Sequence, residues 1–322
     1  MLANKLVLSH SFRARVKDYA TNLLENEIPE EFSNQDLIKA GREIANDVVP
    51  DLAPLELYEL MSFNSGSTSH IVISSGQLPE LPPTPYDALV SSRDILEPAL
   101  FITSVHAMLD LHPVVYEGEN DGQIIRNVVP AKKATSVISS HGSKVAFGGH
   151  VDNPDLPFFD DAELHSVSIP DNLSLYCLKQ QTPSVTTDVI LIDEVIAEMD
   201  AENAARLMQP VFTVERPASF SGYTDNFVRN VPLLARNNLG QYVSRFDTHR
   251  ISTNDEQAAI ALNQFSAIAS EDRLKLQLDL QCGDFVIFKN KRTLHARGAF
   301  NPVFDGNDRW LLRVFSMNSQ PH

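Results

Sequence analysis

One histidine and one aspartate stand out in the sequence because their spacing lets both side chains reach a single metal ion. Of the ten histidines, only His150 has a carboxylate two positions later, in His150-Val151-Asp152. On a β-strand, residues two apart point to the same face, so an imidazole and a carboxylate at this spacing can share one ion. Short motifs also arise by chance, and a surface histidine beside a surface aspartate is the alternative interpretation.

The C-terminal segment adds the side chains that the first motif lacks. A Gly283-Asp284 turn leads into a strand, a second turn follows, and the next strand carries His295. The last strand carries Arg309 and Arg313, four residues apart. Two histidines and one carboxylate hold Fe(II) on one side and leave three positions open, which an α-keto acid and O2 can fill. A strand arginine can then bind the far carboxylate of the keto acid through two parallel hydrogen bonds.

The order of these motifs resembles the 2-oxoglutarate-dependent oxygenases. More narrowly, it is similar to the clavaminate synthase-like group, which includes hydroxylases of free arginine, asparagine and lysine. The shared pattern is His-x-Asp, then Gly-Asp-x5-Asn-x4-His, then an arginine fourteen residues after the second histidine. The similarity covers residues 127–314 and is most specific over residues 284–313. The chain departs from the group's frequent Trp-His-x-Glu, because Gly149 precedes His150 and Asp152 replaces the glutamate.

The resemblance implies Fe(II) as the metal, with 2-oxoglutarate and O2 as co-substrates. The implied iron ligands are His150, Asp152 and His295. Arg309 is implied to bind the distal carboxylate of 2-oxoglutarate, and Thr187 matches the threonine that assists this binding in the family. Halogenation is not expected, because a halide would need the coordination position that the Asp152 carboxylate occupies.

The resemblance also implies three contacts to an amino-acid substrate. Arg313 matches the residue that holds the substrate carboxylate, Ser140 lies where the backbone is contacted, and Asp247 lies where cationic side chains are recognised. His249 stands in place of a second acid, a departure that counts against arginine and leaves lysine or another polar amino acid open. The expected reaction is hydroxylation of a free, basic L-amino acid, with succinate and CO2 as co-products. Desaturation or ring closure at the same iron site, and a jelly-roll binding protein without turnover, are the alternatives.

Each of these side chains also has an ordinary structural interpretation. A histidine on an apolar strand, such as His295, can be a hydrogen-bonded core residue. Arg309 can pair with an aspartate of its own hairpin, and Arg313 can belong to a structural ion pair. Asp247 can lie at a solvated strand end. Only the combined pattern favours the iron site over these alternatives.

Composition narrows the class of protein. The 322 residues include 26 basic and 42 acidic side chains, and the net charge of -16 argues against a nucleic-acid partner. The partner that the family resemblance implies is a small-molecule amino-acid substrate. The two cysteines form neither a disulfide framework nor a metal motif, which fits a reducing cytoplasm. Neither a signal peptide nor a membrane-spanning segment is expected, and the oligomeric state is left open.

Residues 1–111 are predicted to be largely helical. Ser33 and Asp36 resemble a capping box in front of an apolar helical periodicity, and residues 87–111 are predicted as a further helix. From residue 112 onward, short apolar runs predict strands, with helical insertions at 194–208 and at 254–271, the latter capped by Asn254.

Many short strands after a helical lead predict a mainly β protein with helical additions, built on a double-sheet core with flanking helices. The family resemblance specifies this core as a double-stranded β-helix, also called a jelly-roll. Without a long linker, residues 1–322 are predicted to form one oxygenase domain. Residues 216–241 are rich in serine, glycine, asparagine and arginine and are predicted to be a lid over the substrate or an ordinary long loop.

Overall fold

The computed structural model describes residues 5–26, 31–136, 142–159, 167–217 and 225–320. The helices are α1 (His10–Asn26), α2 (Asn34–Val48), α3 (Pro54–Asn64), α4 (Leu96–Met108), α5 (Ile192–Ala197), α6 (Ala201–Arg206) and α7 (Glu256–Ala269). The strands are β1 (Lys5–Val7), β2 (His70–Ser74), β3 (His112–Pro113), β4 (Arg126–Val128), β5 (Phe147–His150), β6 (Asn172–Lys179), β7 (Thr187–Leu191), β8 (Phe212–Glu215), β9 (Phe227–Val231), β10 (Leu234–Arg236), β11 (Tyr242–Ser244), β12 (Ile251–Thr253), β13 (Leu276–Leu278), β14 (Asp284–Lys289), β15 (Thr293–Arg297) and β16 (Trp310–Met317).

Two largely antiparallel sheets form the centre of the molecule. The larger sheet has the order β1-β2-β14-β6-β16-β3, with β4 also paired to β16, and the smaller has the order β13-β7-β15-β5. Their facing sides share one buried apolar cluster, to which Leu175 and Phe288 contribute from the larger sheet and Val189 and Leu278 from the smaller. The predicted double-sheet core is therefore present, and alternate residues of each strand line its interior.

Helices cover the outer faces of both sheets. Helices α1, α2 and α4 bury their apolar sides against the larger sheet, and α5, α6 and α7 do the same on the smaller-sheet side. The predicted capping box begins α2, because Ser33 Oγ accepts from the Asp36 backbone nitrogen and the Asp36 carboxylate accepts from the Ser33 nitrogen. Helices α2 and α4 approach closely at Gly41, where a Cβ atom would lie 2.5 Å from Thr103 Oγ1.

Several predicted boundaries were wrong. The helix predicted over 87–111 begins only at Leu96, because residues 86–95 form turns and Ala88 has a φ of 64°. The insertion at 194–208 is two short helices, α5 and α6. Helix α7 is capped by Asp255 rather than Asn254, since the Asp255 carboxylate accepts from the Ala258 nitrogen. Strand β2 was missed because a central strand buried on both faces carries no polar alternation.

Residues 216–241 are not one long loop. Outside residues 218–224, the segment contains β9, which pairs with β8, and β10, which pairs with β11. Its polar composition concealed these two short strands, whose partners β8 and β11 lie just before and just after the segment. Within the described part of the chain, no helix is long and apolar enough to cross a membrane.

Candidate active site

The two predicted histidine ligands lie directly opposite each other on neighbouring strands of the smaller sheet. His150 ends β5 and pairs in antiparallel register with His295 of β15. Asp152 follows just beyond the end of β5. Its Oδ1 atom lies 3.5 Å from His150 Nε2, and its Oδ2 atom lies 3.8 Å from His295 Nε2. One ligand atom from each of the three side chains falls within 4.8 Å of the others, so the three can hold one metal ion.

The hydrogen bonding and charge of these groups fit a divalent metal. His150 Nδ1 bonds to the Gly148 carbonyl oxygen at 2.8 Å, while the buried Nε2 atom on the Asp152 side has no hydrogen-bond partner. Burial, aided by the neighbouring His150, lowers the pKa of His295 to about 3 and keeps it neutral. Burial would raise the pKa of Asp152, but Arg313 and the two histidines outweigh it and keep the carboxylate ionised. Burial would lower the pKa of His150, but the neighbouring Asp152 outweighs it and raises this pKa. Neutral imidazole, as at His295, and ionised carboxylate, as at Asp152, are the forms that bind metals.

Asn290 positions the aspartate, because Asp152 lies outside the strand that carries His150. The Asp152 backbone nitrogen donates to Asn290 Oδ1 at 3.1 Å, and Asn290 Nδ2 donates to the Asp152 carbonyl at 3.2 Å. The same Nδ2 donates to the Pro170 carbonyl at 3.1 Å. The sequence interpretation placed Asn290 only in a turn. The signal for its role was the asparagine within the Gly-Asp-x5-Asn-x4-His pattern.

Arg309 is a buried cation at the start of β16. It is 5% exposed, and its Nη2 atom donates to Thr187 Oγ1 at 3.1 Å. Among the described residues, no carboxylate lies within ion-pair distance of it. Asp308 instead accepts from the backbone nitrogens of Val303 and Phe304 and from the Tyr86 hydroxyl, so the alternative pairing within the hairpin is not formed. Burial lowers the pKa of Arg309 to about 10.

Arg313 lies four residues further along the chain, lines the same cavity as Arg309, and is held by two acids. It forms an ion pair with Glu119 and reaches Asp152 Oδ2 at 3.4 Å. Glu119 is 4% exposed and also pairs with Arg126 at 3.1 Å. The structural ion pair considered for Arg313 therefore exists. Sequence reasoning missed Glu119, because it contacts Arg313 across 194 residues and no local motif marks it.

The predicted residues divide into two groups by position. Six of them line one narrow cavity between the sheets: His150, Asp152, Thr187, His295, Arg309 and Arg313. Asp247 forms a backbone bridge with His150 but does not line this cavity, and its carboxylate accepts from the His249 nitrogen and pairs with Arg250 at 3.6 Å. It is 3% exposed, so it is not at a solvated strand end. Ser140 lies outside the described residues.

Comparisons with known proteins agree with this geometry. Residues 195–315 match the profile of the taurine catabolism dioxygenase TauD, TfdA family. The L-lysine 3-hydroxylase of Catenulispora acidiphila is 24% identical over 282 residues, which cover 86% of this chain and 73% of the relative. The resemblance to the 2-oxoglutarate-dependent oxygenases is confirmed. The predicted enzyme class, a 2-oxoglutarate-dependent dioxygenase, is confirmed by the same matches.

Solved structures confirm the jelly-roll fold. An asparagine oxygenase in complex with Fe(II), 2S,3S-3-hydroxyasparagine and succinate superimposes with a TM-score of 0.80 at 22% identity, covering 98% of this chain and 93% of that one. The non-heme iron oxygenase OrfP in complex with Fe and alpha-ketoglutaric acid gives a TM-score of 0.79 at 21% identity, covering 98% and 95%. Another OrfP structure contains succinate and (3S)-hydroxy-L-Arg. The groups bound in these neighbours match the predicted Fe(II) and 2-oxoglutarate.

Proposed function

We propose that the chain is a Fe(II)- and 2-oxoglutarate-dependent hydroxylase of a free basic L-amino acid, lysine or arginine. The observation that carries the proposal is one cavity lined by a His-Asp-His set and by a buried arginine that has no acidic partner among the described residues. When bound, Fe(II) with 2-oxoglutarate and O2 supplies the oxidising power that replaces a C–H bond with C–OH and yields succinate and CO2.

His150, Asp152 and His295 are proposed to hold the iron. They come from two paired strands and from a backbone segment clamped by Asn290, so their relative positions are fixed before a metal binds. Such rigidity would keep the three side chains that hold the iron directed at the cavity between the sheets.

Arg309 is proposed to bind the distal carboxylate of 2-oxoglutarate. A buried guanidinium gains most from an anion that arrives with the ligand, because water cannot compensate its charge. Thr187 Oγ1 accepts one hydrogen from Arg309, and its own hydroxyl hydrogen remains able to donate to the same carboxylate. Both residues lie at the ends of core strands, which limits their movement.

Arg313 and Asp247 are proposed to recognise the amino acid. Glu119 and Asp152 hold the Arg313 guanidinium at the cavity wall. There it can donate hydrogen bonds to the α-carboxylate of the substrate. Asp247, beside His150, is the acid proposed to pair with a cationic side chain after its contact with Arg250 is exchanged. The lysine 3-hydroxylase relative and the hydroxyarginine bound to OrfP support a basic substrate.

A product screen tests the proposal. The protein is incubated in air with Fe(II), ascorbate and 2-oxoglutarate, together with each standard amino acid in turn, and products are weighed by mass spectrometry. Gain of one oxygen atom by lysine or arginine, matched by an equal amount of succinate, is the expected result. Loss of two hydrogens would indicate desaturation or cyclisation, and no succinate with any amino acid would refute the hydroxylase.

Two variants separate the roles of the acids. Asp152→Asn should abolish succinate formation with every amino acid, because it removes the anionic metal ligand. Asp247→Asn should retain 2-oxoglutarate affinity but lose the preference for basic over neutral amino acids. An unchanged preference in Asp247→Asn would show that this acid does not read the side chain.

A further inference from the structure

A second cavity lies apart from the candidate active site. Its volume is about 280 Å³, compared with about 60 Å³ for the cavity at the His-Asp-His set, and the two share no lining residue. Its walls are the end of α3, the loop after β10, and the end of β14 with the short turn that follows it. They are mainly amide and basic side chains, among them Asn237, Asn238, Gln241, Lys289, Lys291 and Arg292.

Among the described residues that line this cavity, Lys289 is a cation without an ion-pair partner. The residue is only 8% exposed, and its ammonium lies 4.1 Å from the centre of the Phe63 ring. Within the described ranges, neither a hydrogen-bond acceptor nor a carboxylate is in contact with that ammonium. An aromatic face attracts a cation but replaces only part of its hydration. Burial accordingly lowers the pKa of Lys289 to about 8.

The two other cations of the cavity already have partners. Lys291 pairs with Asp171 at 2.5 Å and donates to the Phe158 carbonyl at 3.0 Å. Arg292 pairs with Asp193 at 2.8 Å and donates to a backbone carbonyl. The two acids are therefore paired with these two cations. Asp171, which also lines the cavity, favours the charged form of Lys289, but among the described residues Lys289 has no ion-pair partner of its own.

Amide donors face the same space. The side chain of Gln241 accepts from Asn237 Nδ2 through its oxygen at 3.0 Å, which leaves its nitrogen as a donor. A buried cation with amide N–H groups lining the same cavity is an arrangement that can bind carboxylate or phosphate oxygens.

We propose that this cavity is a second ligand site, which binds a small oxyanion, a carboxylate or a phosphate group, on the ammonium of Lys289. The site is independent of the proposed hydroxylase activity, since it shares no residue with the cavity that contains Arg309. The bound oxyanion supplies the negative charge that the surrounding protein lacks.

Isothermal titration calorimetry with inorganic phosphate and, separately, with acetate tests the site. We expect saturable binding of at least one of them to the intact protein, and the preferred probe identifies the group as phosphate or carboxylate. Lys289→Gln should weaken binding by about tenfold or more, because it removes the buried charge. Lys39→Gln, which removes the same charge from an exposed position, should bind as the unaltered protein does. Arg309→Met should also retain binding, since its guanidinium lies in the other cavity.

Amine labelling gives a readout that does not depend on a variant folding. The favoured oxyanion should slow acylation of Lys289 by an amine-reactive reagent and leave that of Lys39 unchanged, as measured by peptide mass spectrometry. Absence of saturable binding by both probes would overturn the proposal. So would unaltered affinity in a folded Lys289→Gln protein, or binding that disappears only in Arg309→Met.

Discussion

The burial of Arg309 leads to a quantitative prediction for 2-oxoglutarate binding. Burial lowers its pKa from 12.5 to about 10, which corresponds to a cost of about 3 kcal/mol for keeping the guanidinium charged. A carboxylate that binds to this group and compensates its charge recovers an energy of similar size. Arg309→Met should therefore weaken 2-oxoglutarate binding by roughly two orders of magnitude.

The same substitution should not destabilise the ligand-free protein. Methionine removes a buried charge that has no acidic partner, so the free energy of unfolding should stay equal or rise. Titration calorimetry with 2-oxoglutarate, with Mn(II) in place of Fe(II), measures the affinity. Thermal unfolding with and without 2-oxoglutarate measures the stability, and the stabilisation by the ligand should largely disappear in the variant.

Arg245→Met is the matched control. Arg245 is also buried, at 3% exposed, and burial also lowers its pKa to about 10. Its Nη1 atom donates to the Pro154 carbonyl at 3.0 Å, and it does not line the cavity that contains Arg309. This variant should keep its 2-oxoglutarate affinity within about threefold, because the residue lies outside that cavity. Equal affinities of Arg309→Met and the unaltered protein would refute the assignment.

Three further predictions concern stability and reactivity. Gly41→Ala should lower the free energy of unfolding by about 1–3 kcal/mol, because its Cβ would overlap helix α4. Gly298→Ala is the control, since a Cβ there meets open space and should change this free energy little. Chemical denaturation measures both variants. Burial lowers the pKa of His106 to about 4, so its neutral form stabilises the fold above pH 6.5, and this stability is lost as the pH falls towards 4. Between pH 6.5 and 4.5, the free energy of unfolding of the unaltered protein should therefore drop by roughly 2–3 kcal/mol more than that of His106→Gln. An equal drop in the two proteins would contradict the role given to His106. A hydrogen bond from Cys177 lowers the pKa of Cys282 to about 6. The rate at which iodoacetamide alkylates Cys282 should therefore level off near pH 7. A rate that keeps rising through pH 8.5 would contradict this prediction.

Local signals in the sequence determined the general architecture and the chemistry. The capping box at Ser33 and Asp36 needs only residues three apart, and the structure contains it. The His-x-Asp motif and the spacing from Asp284 to His295 and Arg309 are equally local, and they indicated the oxygenase family. Such patterns are readable because neighbouring residues on one strand or helix have fixed relative directions.

Boundaries and central strands were less predictable. Residues 87–95 have apolar side chains compatible with a helix, yet turns and a positive φ at Ala88 keep them out of α4. Strand β2, a short apolar run in the middle of the larger sheet, is defined by its partners β1 and β14 rather than by its own pattern. Tertiary pairing therefore decided what propensity left ambiguous.

The sequence by itself determined which residues could bind a metal and an α-keto acid, while the tertiary structure decided how they are held. Asn290 clamps the Asp152 backbone from 138 residues away, and Glu119 holds Arg313 from 194 residues away. The isolation of the Lys289 ammonium likewise appears only after α3, β14 and the loop after β10 are packed together. These contacts join segments that are distant in the chain, and a buried charge acquires or lacks a partner only when those segments meet.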